Sequence, residues 1–497
     1  MVPAPFKQSR KASVWYLLAF VVLSGFYTLL AATLPFNSDS VSALLEARDI
    51  LHGNILLHGW DLSTEPYYVT EILPYSVVAG VAGWHLSFYY LVPAALLAGM
   101  VLLAFRLCRE LAPQGAWCFL VLVAAPTAFG VQVMLIPCIH MGAYVGVLLC
   151  WLLVLAQKKQ ERPALWGVFV ALLCLLLFSD DIVKYCFVFP VLGAAVLQGV
   201  QTWRLQKSRP AENWRLVACV LVALPLASGL KSVLAHNGGF HVPGLWTMSF
   251  AGQERIGYNF SVLVSGVLHF FGAYFFGKDF SLHGSGNELF HLAVLGAALA
   301  GVVRLVRSRS IRFDLFDYAA LLCMGIMVGA FMLSQLPIDD ASTRYLVFPY
   351  VMMALLLARH TVLPAVGRAM CLACAAVYAV LSMPAPVLHF WQTNRNFPIN
   401  MELARRGLTQ GFAPYWSAAV NSLPNPVRIA PVTFGAEIKP FHFLSRRDWY
   451  TQGGTFFLCE TPAQAAQAQA RFGPASTVET VDGHLLLVWN RSLTVPD

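Results

Sequence analysis

A chain of 497 residues, 58% hydrophobic and only 12% charged, with a mean hydropathy of +0.64, carries about half the charge of a soluble domain and reads as a polytopic membrane protein. The net charge of +8 does not point to nucleic acid, because the basic residues sit in short runs between apolar spans, the positive-inside pattern. Most of the eleven cysteines lie in or beside apolar runs without metal-type clustering. Cys371 and Cys374 read as packing residues, and Cys459 is alone in the polar tail, which excludes a disulfide framework there.

At the N-terminus Lys7, Arg10 and Lys11 precede an apolar run over 14–34. The run is too long for a signal-peptide core and reads as a retained anchor. Residues 35–60, PFNSDSVSALLEARDILHGNILLHGW, come next. Asp39, Glu46, Arg48 and Asp49 exclude a membrane span. The spacing predicts a short amphipathic helix, capped by Ser38 or Asp39 and stopped by Gly53. Val41, Leu44, Leu45 and Leu51 form one apolar face, suited to lying flat on a membrane.

Basic connectors at Lys7–Lys11, Arg106–Arg109, Lys158–Arg162, Arg204–Arg215, Arg304–Arg312 and Arg359–Arg368 are expected on the cytoplasmic side. Eleven crossings fit between them, at about 14–34, 85–107, 117–135, 137–156, 164–179, 182–202, 216–234, 288–304, 314–334, 343–360 and 363–383. Two apolar pieces fall outside this count. Residues 72–84 are short and read as part of a bent helix broken near Gly83 and Trp84; the aromatic piece 261–277 reads as re-entrant or interfacial.

The expectation is an α-helical polytopic membrane protein in the plasma (inner) membrane, N-terminus cytoplasmic and C-terminus exterior or periplasmic. A membrane domain over 1–389 carries exterior loops 35–71 and 235–287, with shorter exterior turns at Pro137, Ser179–Asp181 and Pro337–Arg344. From 390 to 497 the composition is that of a soluble domain, expected to be small and α/β or α+β. LARRGLTQGFAPYWSAAVNSLP and PAQAAQAQARFG read as helices; VRIAPV, GTFFLCE and GHLLLVWN read as strands.

Polar groups collect at the exterior ends of the spans, and ionisable residues at membrane depth point to function. Asp39 suits a general base, a metal ligand or a helix cap. In SDDIVKYCFVFP, Asp180 and Asp181 stand four and three residues before Lys184, so both acids can face it on one helix side. In DDASTRYLVFPY, Asp340 precedes Arg344 by four. The two cations suit either local ion pairs or a lipid phosphate, for which the arginine fork is well shaped. His140 stands at a tight turn, IPCIHMG. Trp60, Tyr67 and Tyr68 are candidates for stacking on sugar rings.

NSDSVSALLEARDILHGNILLHGW after the first span, with SDDIVKYCFVFP and STRYLVFPY, resembles the GT-C superfamily of membrane glycosyltransferases, which use polyprenyl-phosphate-linked sugars. The resemblance implies that the first-loop acid, here Asp39, acts as catalytic base or helps hold a divalent metal ion. Many members carry a second acid in the next exterior loop; the corresponding turn here has His140 and no carboxylate. The resemblance further implies transfer of a sugar at the exterior face, with inversion, to a glycan, lipid or protein acceptor. Lys184, Arg344 and His140 would hold the donor phosphate, and Asp180, Asp181 and Asp340 would support them. The rival class is a multi-pass transporter or flippase, whose sites usually lie near the bilayer midplane between repeated halves. No repeat is visible here.

Overall fold

A computed structural model of the chain describes residues 10–206, 213–243, 249–281, 284–308, 311–388 and 397–496. The connectors Lys7–Lys11 and Arg204–Arg215, and the domain boundary at 389/390, lie wholly or partly outside the described residues. The protein is mostly helical. Among the described residues nine helices are long and apolar enough to cross a membrane, and a small sheet domain follows them.

The nine are Ser13–Ala31, Phe88–Leu111, Met141–Lys159, Lys184–Trp203, Trp214–His236, Gly286–Arg307, Leu315–Leu333, Asp340–His360 and Ala365–Ser382. The other two expected crossings take different forms. Over 117–135 the chain makes two helices, Trp117–Ala124 and Ala128–Met134, bent by 82°. Pro126 cannot continue the first helix, and the Thr127 hydroxyl caps the second by accepting from the Gly130 N–H. Over 164–179 the helix is Pro163–Ser179, 17 residues long. Asp180 ends it by turning extended and accepting the Ile182 N–H at 3.0 Å, a local competition that short carboxylates win against helix.

Of the two leftover pieces, 72–84 belongs to a helical stretch Tyr68–Ala82. Gly83, at φ +80°, breaks it from the helix that begins at Phe88. Most of 261–277 belongs to the helix Gln253–Phe270. Asn259, in a glycosylation-type sequon, is fully buried. Its amide donates to the Met332 and Ser334 carbonyls at 3.0 and 2.7 Å, closing the open end of a neighbouring helix.

The chain divides into two compact units. One comprises Met1–Leu34, Tyr90–Ser228 and Thr247–Val387; the other comprises Pro35–Tyr89, Gly229–Trp246 and Leu388–Asp497. In the first, Leu315–Leu333 packs against the helix that follows Lys184 and against Val347–His360. Arg359 lies in an expected basic connector, yet its guanidinium grips Asp314 at 2.8 and 2.9 Å and Asp317 at 2.9 Å. His360 meets Asp317 at 2.8 Å. This cluster binds two helix ends together.

In the second unit six strands form one sheet. They are β2 (Gln410–Pro414), β3 (Arg428–Phe434), β4 (Ile438–Pro440), β6 (Gly454–Cys459), β7 (Thr477–Val481) and β8 (His484–Leu493), in the order β4-β3-β2-β6-β8-β7. The central three are parallel and the outer pairings antiparallel. A two-residue ribbon pairs β1 (Trp60–Asp61) with β5 (Ser445–Arg446). Strands β3, β6 and β8 and the helix Pro462–Phe472 fall where the sequence predicts them. The long helix expected over 403–424 does not form. A helix ends at Arg405, Gly407 turns left-handed at φ +69°, and the chain then becomes the central strand β2. Phe412 and Ala413 are fully buried in that strand, and pairing on both edges overrides the local helical pattern.

Candidate functional site

The first-loop helix is Ser38–Leu51, and its cap is Asn37, whose side chain accepts the Ser40 N–H. The expected cap at Ser38 or Asp39 is therefore one to two residues late. The Ser38 hydroxyl donates to the Trp416 carbonyl at 2.8 Å. Val41, Leu44 and Leu45 are buried, whereas Leu51 is exposed. The helix packs on Leu73–Ala82 and on the short turn Tyr415–Ala418, so its apolar face serves protein packing.

Asp39 is exposed in the first helical turn, where the helix dipole favours a carboxylate. The Tyr415 hydroxyl donates to it. Burial first, and then the Asp39 carboxylate, push the Tyr415 phenol well above its ordinary range, so the phenol stays protonated and remains a donor. Two turns along, Glu46 is buried and one carboxylate oxygen has no partner among the described residues. Burial pushes its carboxyl up to about 8, with a Ser42 hydrogen bond opposing.

The rest of this unit is tied by acids of the first loop and arginines of the tail. Asp49 accepts from Arg446 at 3.0 and 3.1 Å and from the Trp60 indole at 2.8 Å. Asp61, with 2% of its side chain exposed, accepts two bonds from Arg447, at 2.7 and 2.8 Å, and lies 2.8 Å from His241 and 3.6 Å from His442. Burial alone would raise its pKa; the hydrogen bonds from Arg447 and His241 outweigh burial and hold it below the usual carboxylate range.

Trp60 is 1% exposed and meets Trp449 edge-on with ring centroids 5.4 Å apart. Tyr67 and Tyr68 are also buried, and Tyr68 donates to the Ile55 carbonyl and packs on Phe240. These three aromatics build the loop instead of offering an open stacking platform.

In the other unit five of the remaining candidates, Lys184, Asp181, Asp180, His140 and Arg344, form local groups joined through the 180–181 backbone and through Tyr345. Lys184 bonds Asp181 at 2.7 Å, both half-buried. The adjacent Asp180 is fully buried and meets His140 Nδ1 at 2.8 Å. Cys138 and His140 both take left-handed backbone, φ 58° and 72°, strain of the kind that concentrates at functional turns. The His140 ring lies 5.6 Å from that of Tyr345. The Arg344 guanidinium lies over the Tyr345 ring at 5.1 Å and donates to its hydroxyl at 3.3 Å, while its carbonyl accepts from the Tyr144 hydroxyl at 3.4 Å. The Lys184–Asp181 pair and the Asp180–His140 pair are thus joined by the 180–181 peptide bond, and His140 reaches Arg344 by way of the Tyr345 ring.

Asp340 shares a turn with Arg344 but addresses another helix: it accepts from Ser265 at 2.8 Å and lies 3.6 Å from His269 Nε2. Tyr345, Tyr415 and the Arg446–Arg447 pair were missed from sequence. Nothing in the sequence singles out Tyr345 or Tyr415, and Arg446–Arg447 is one of two adjacent-arginine pairs in the tail, beside Arg405–Arg406. Among the described residues no group of three or more His, Cys, Asp or Glu side chains is arranged to hold a metal ion. No protein-family model matches the chain, and no curated protein matches it.

Proposed function

We propose that the protein is a membrane glycosyltransferase that takes a sugar from a polyprenyl-phosphate donor, with GT-C-like architecture. In this reading the bent pair at 117–134 and the helix Pro163–Ser179 complete eleven crossings, and the tail is exterior. The observation that carries the reading is the cluster linking Lys184 and Arg344 through Asp181, Asp180, His140 and Tyr345. Two cations at the ends of apolar helices suit a phosphate whose tail stays in lipid. The Asp180 carboxylate fixes the His140 ring orientation, as a buried acid does for a working imidazole.

Asp39 is the proposed base. It takes the proton of the acceptor hydroxyl as that oxygen bonds to the anomeric carbon. The bond from that carbon to the phosphate oxygen breaks, the electron pair leaves with the phosphate, and the anomeric configuration inverts. Cations on the leaving phosphate stabilise its developing charge. The acceptor is a glycan, a lipid or a protein.

The test is consumption of a radiolabelled polyprenyl-phosphate sugar by purified protein in lipid nanodiscs supplied with a membrane extract as acceptor. Arg344→Lys is expected to weaken donor use, since the paired donors are lost. Because Asn37 and not Asp39 caps the helix, Asp39→Asn forfeits only the dipole contribution of ~0.3–1 kcal/mol; it should melt close to wild type and lose about 10²-fold or more in rate. Wild-type turnover in a Lys184→Ala, Arg344→Ala double variant would remove the phosphate site from this cluster.

A further inference from the structure

A cleft of about 520 Å³ opens between the helix Gln253–Phe270 and the corner at Asp339–Ala341. It is shallow and mostly open on its outer side, with a volume inside the ~300–1,000 Å³ range of small-molecule sites. Tyr258, Ser261, Val262 and Ser265 line one side, and Asp339, Asp340 and Ala341 line the other. Positions 258, 261, 262 and 265 fall on one helix face by spacing.

The walls are held in place. The Tyr258 hydroxyl donates to the Ile338 carbonyl. Arg255 lies 4.6 Å over the Tyr258 ring and donates to the Pro337 carbonyl. Ser265 donates to Asp340 Oδ2 at 2.8 Å. At the back the helix approaches so closely that a Cβ on Gly266 would fall 2.2 Å from Thr343 Cγ2.

The serine hydroxyls already donate within the wall, Ser261 to the Tyr258 carbonyl at 2.7 Å and Ser265 to Asp340. What the lining offers is therefore chiefly acceptors: the further lone pairs of two carboxylates, of which Asp339 already accepts from Ser342 and Asp340 from Ser265 with His269 3.6 Å away, and hydroxyl lone pairs, beside an aromatic ring and the apolar Val262 and Ala341. Carboxylates repel an anion. A ring carrying several hydroxyl donors on its edges and C–H groups on its face matches this surface.

We propose that this cleft binds a neutral sugar ring, its hydroxyls donating to Asp339 and Asp340. Asp340 and Arg344 stand on one 3₁₀ turn, Asp340–Leu346, about 8 Å apart along its axis at ~2 Å per residue. One element thus presents both a sugar site and a phosphate-binding cation. The role of acceptor subsite rests on the transfer reading; binding itself does not.

The experiment is saturation-transfer-difference NMR on the full chain in deuterated detergent, with methyl hexopyranosides and methyl pentopyranosides as probes. Saturation of the ring protons is expected in wild type. It should fall at least fivefold in Ser261→Trp, which fills the cleft, and in the milder Asp340→Asn, with melting temperatures measured for both. It should survive in Arg344→Ala. No saturation in wild type, undiminished saturation in folded Ser261→Trp or Asp340→Asn, or displacement of the sugar by Mn²⁺ would each overturn the assignment. Retained saturation without any donor turnover sinks the transfer reading alone, whereas turnover without saturation sinks the cleft alone.

Discussion

Replacing Glu46 with glutamine should make the protein more stable at neutral pH. The Glu46 carboxyl is fully buried, and its pKa rises from 4.5 to about 8. Because the folded value is the higher one, the unfolded chain gives up this proton first. The folded state is therefore favoured most below about pH 4.5 and loses stability steadily up to about pH 8. At 1.36 kcal/mol per pK unit the loss from pH 5 to pH 7 is about 2.5 kcal/mol. For a chain of 497 residues the unfolding entropy is large enough that each kcal/mol is worth only ~1 °C, so this lowers the melting temperature by roughly 2–3 °C. Glutamine has the same shape and never ionises, so Glu46→Gln should lose this slope and melt higher than wild type at pH 7. The assay is intrinsic tryptophan fluorescence during thermal unfolding in detergent at pH 5, 6, 7 and 8. A variant with the wild-type slope, or one less stable at pH 7, would refute the reasoning.

Arg447→Ala leaves the Asp61 carboxylate without its two-pronged partner and should cost about 2 kcal/mol at pH 7, measured by the same melting experiment. Since the Asp61 pKa is depressed, this contribution is present in full above the unfolded value of ~4 and is lost as pH falls below it. The variant should therefore converge on wild type in acid; an unchanged gap at pH 2.5 would count against the pair. Gly266→Ala should destabilise by about 1–3 kcal/mol through overpacking against Thr343, and unchanged melting would show that the helix can shift at no cost. An enzymatic reporter fused after residue 497 should be active only outside the cytoplasm; cytoplasmic activity would overturn the proposed orientation.

What could be read from the sequence was what is local. Long apolar runs announce helices without any partner, and among the described residues nine such helices form where hydropathy places them. Pro126 in the middle of 117–135 was on view, but the 82° bend depends also on the Thr127 cap. The tail was harder. Gln410–Pro414 carries a pattern compatible with helix, and only its place between two parallel neighbours makes it a strand. The contacts that build the first loop were hidden for the same reason: Asp49 and Arg446 are 397 residues apart, Asp61 and Arg447 386. Exposure is equally non-local, so Trp60, Tyr67 and Tyr68 looked available for stacking and are buried. The link from Lys184 to Arg344 runs through Tyr345 and a buried Asp180–His140 pair. Sequence spacing suggests the Asp181–Lys184 pair, but not that Asp180 turns to His140 or that Asp340 turns to Ser265 and His269 instead of Arg344.

The central claim is that Lys184 and Arg344 hold a lipid-linked phosphate, and the most direct measurement is mass spectrometry of lipids retained by purified protein. Wild type is predicted to carry a polyprenyl phosphate or its glycosylated form. The Lys184→Ala, Arg344→Ala double variant, folded by its melting curve, is predicted to carry neither. A wild-type protein without any such lipid, or a double variant that retains it equally, would contradict the account.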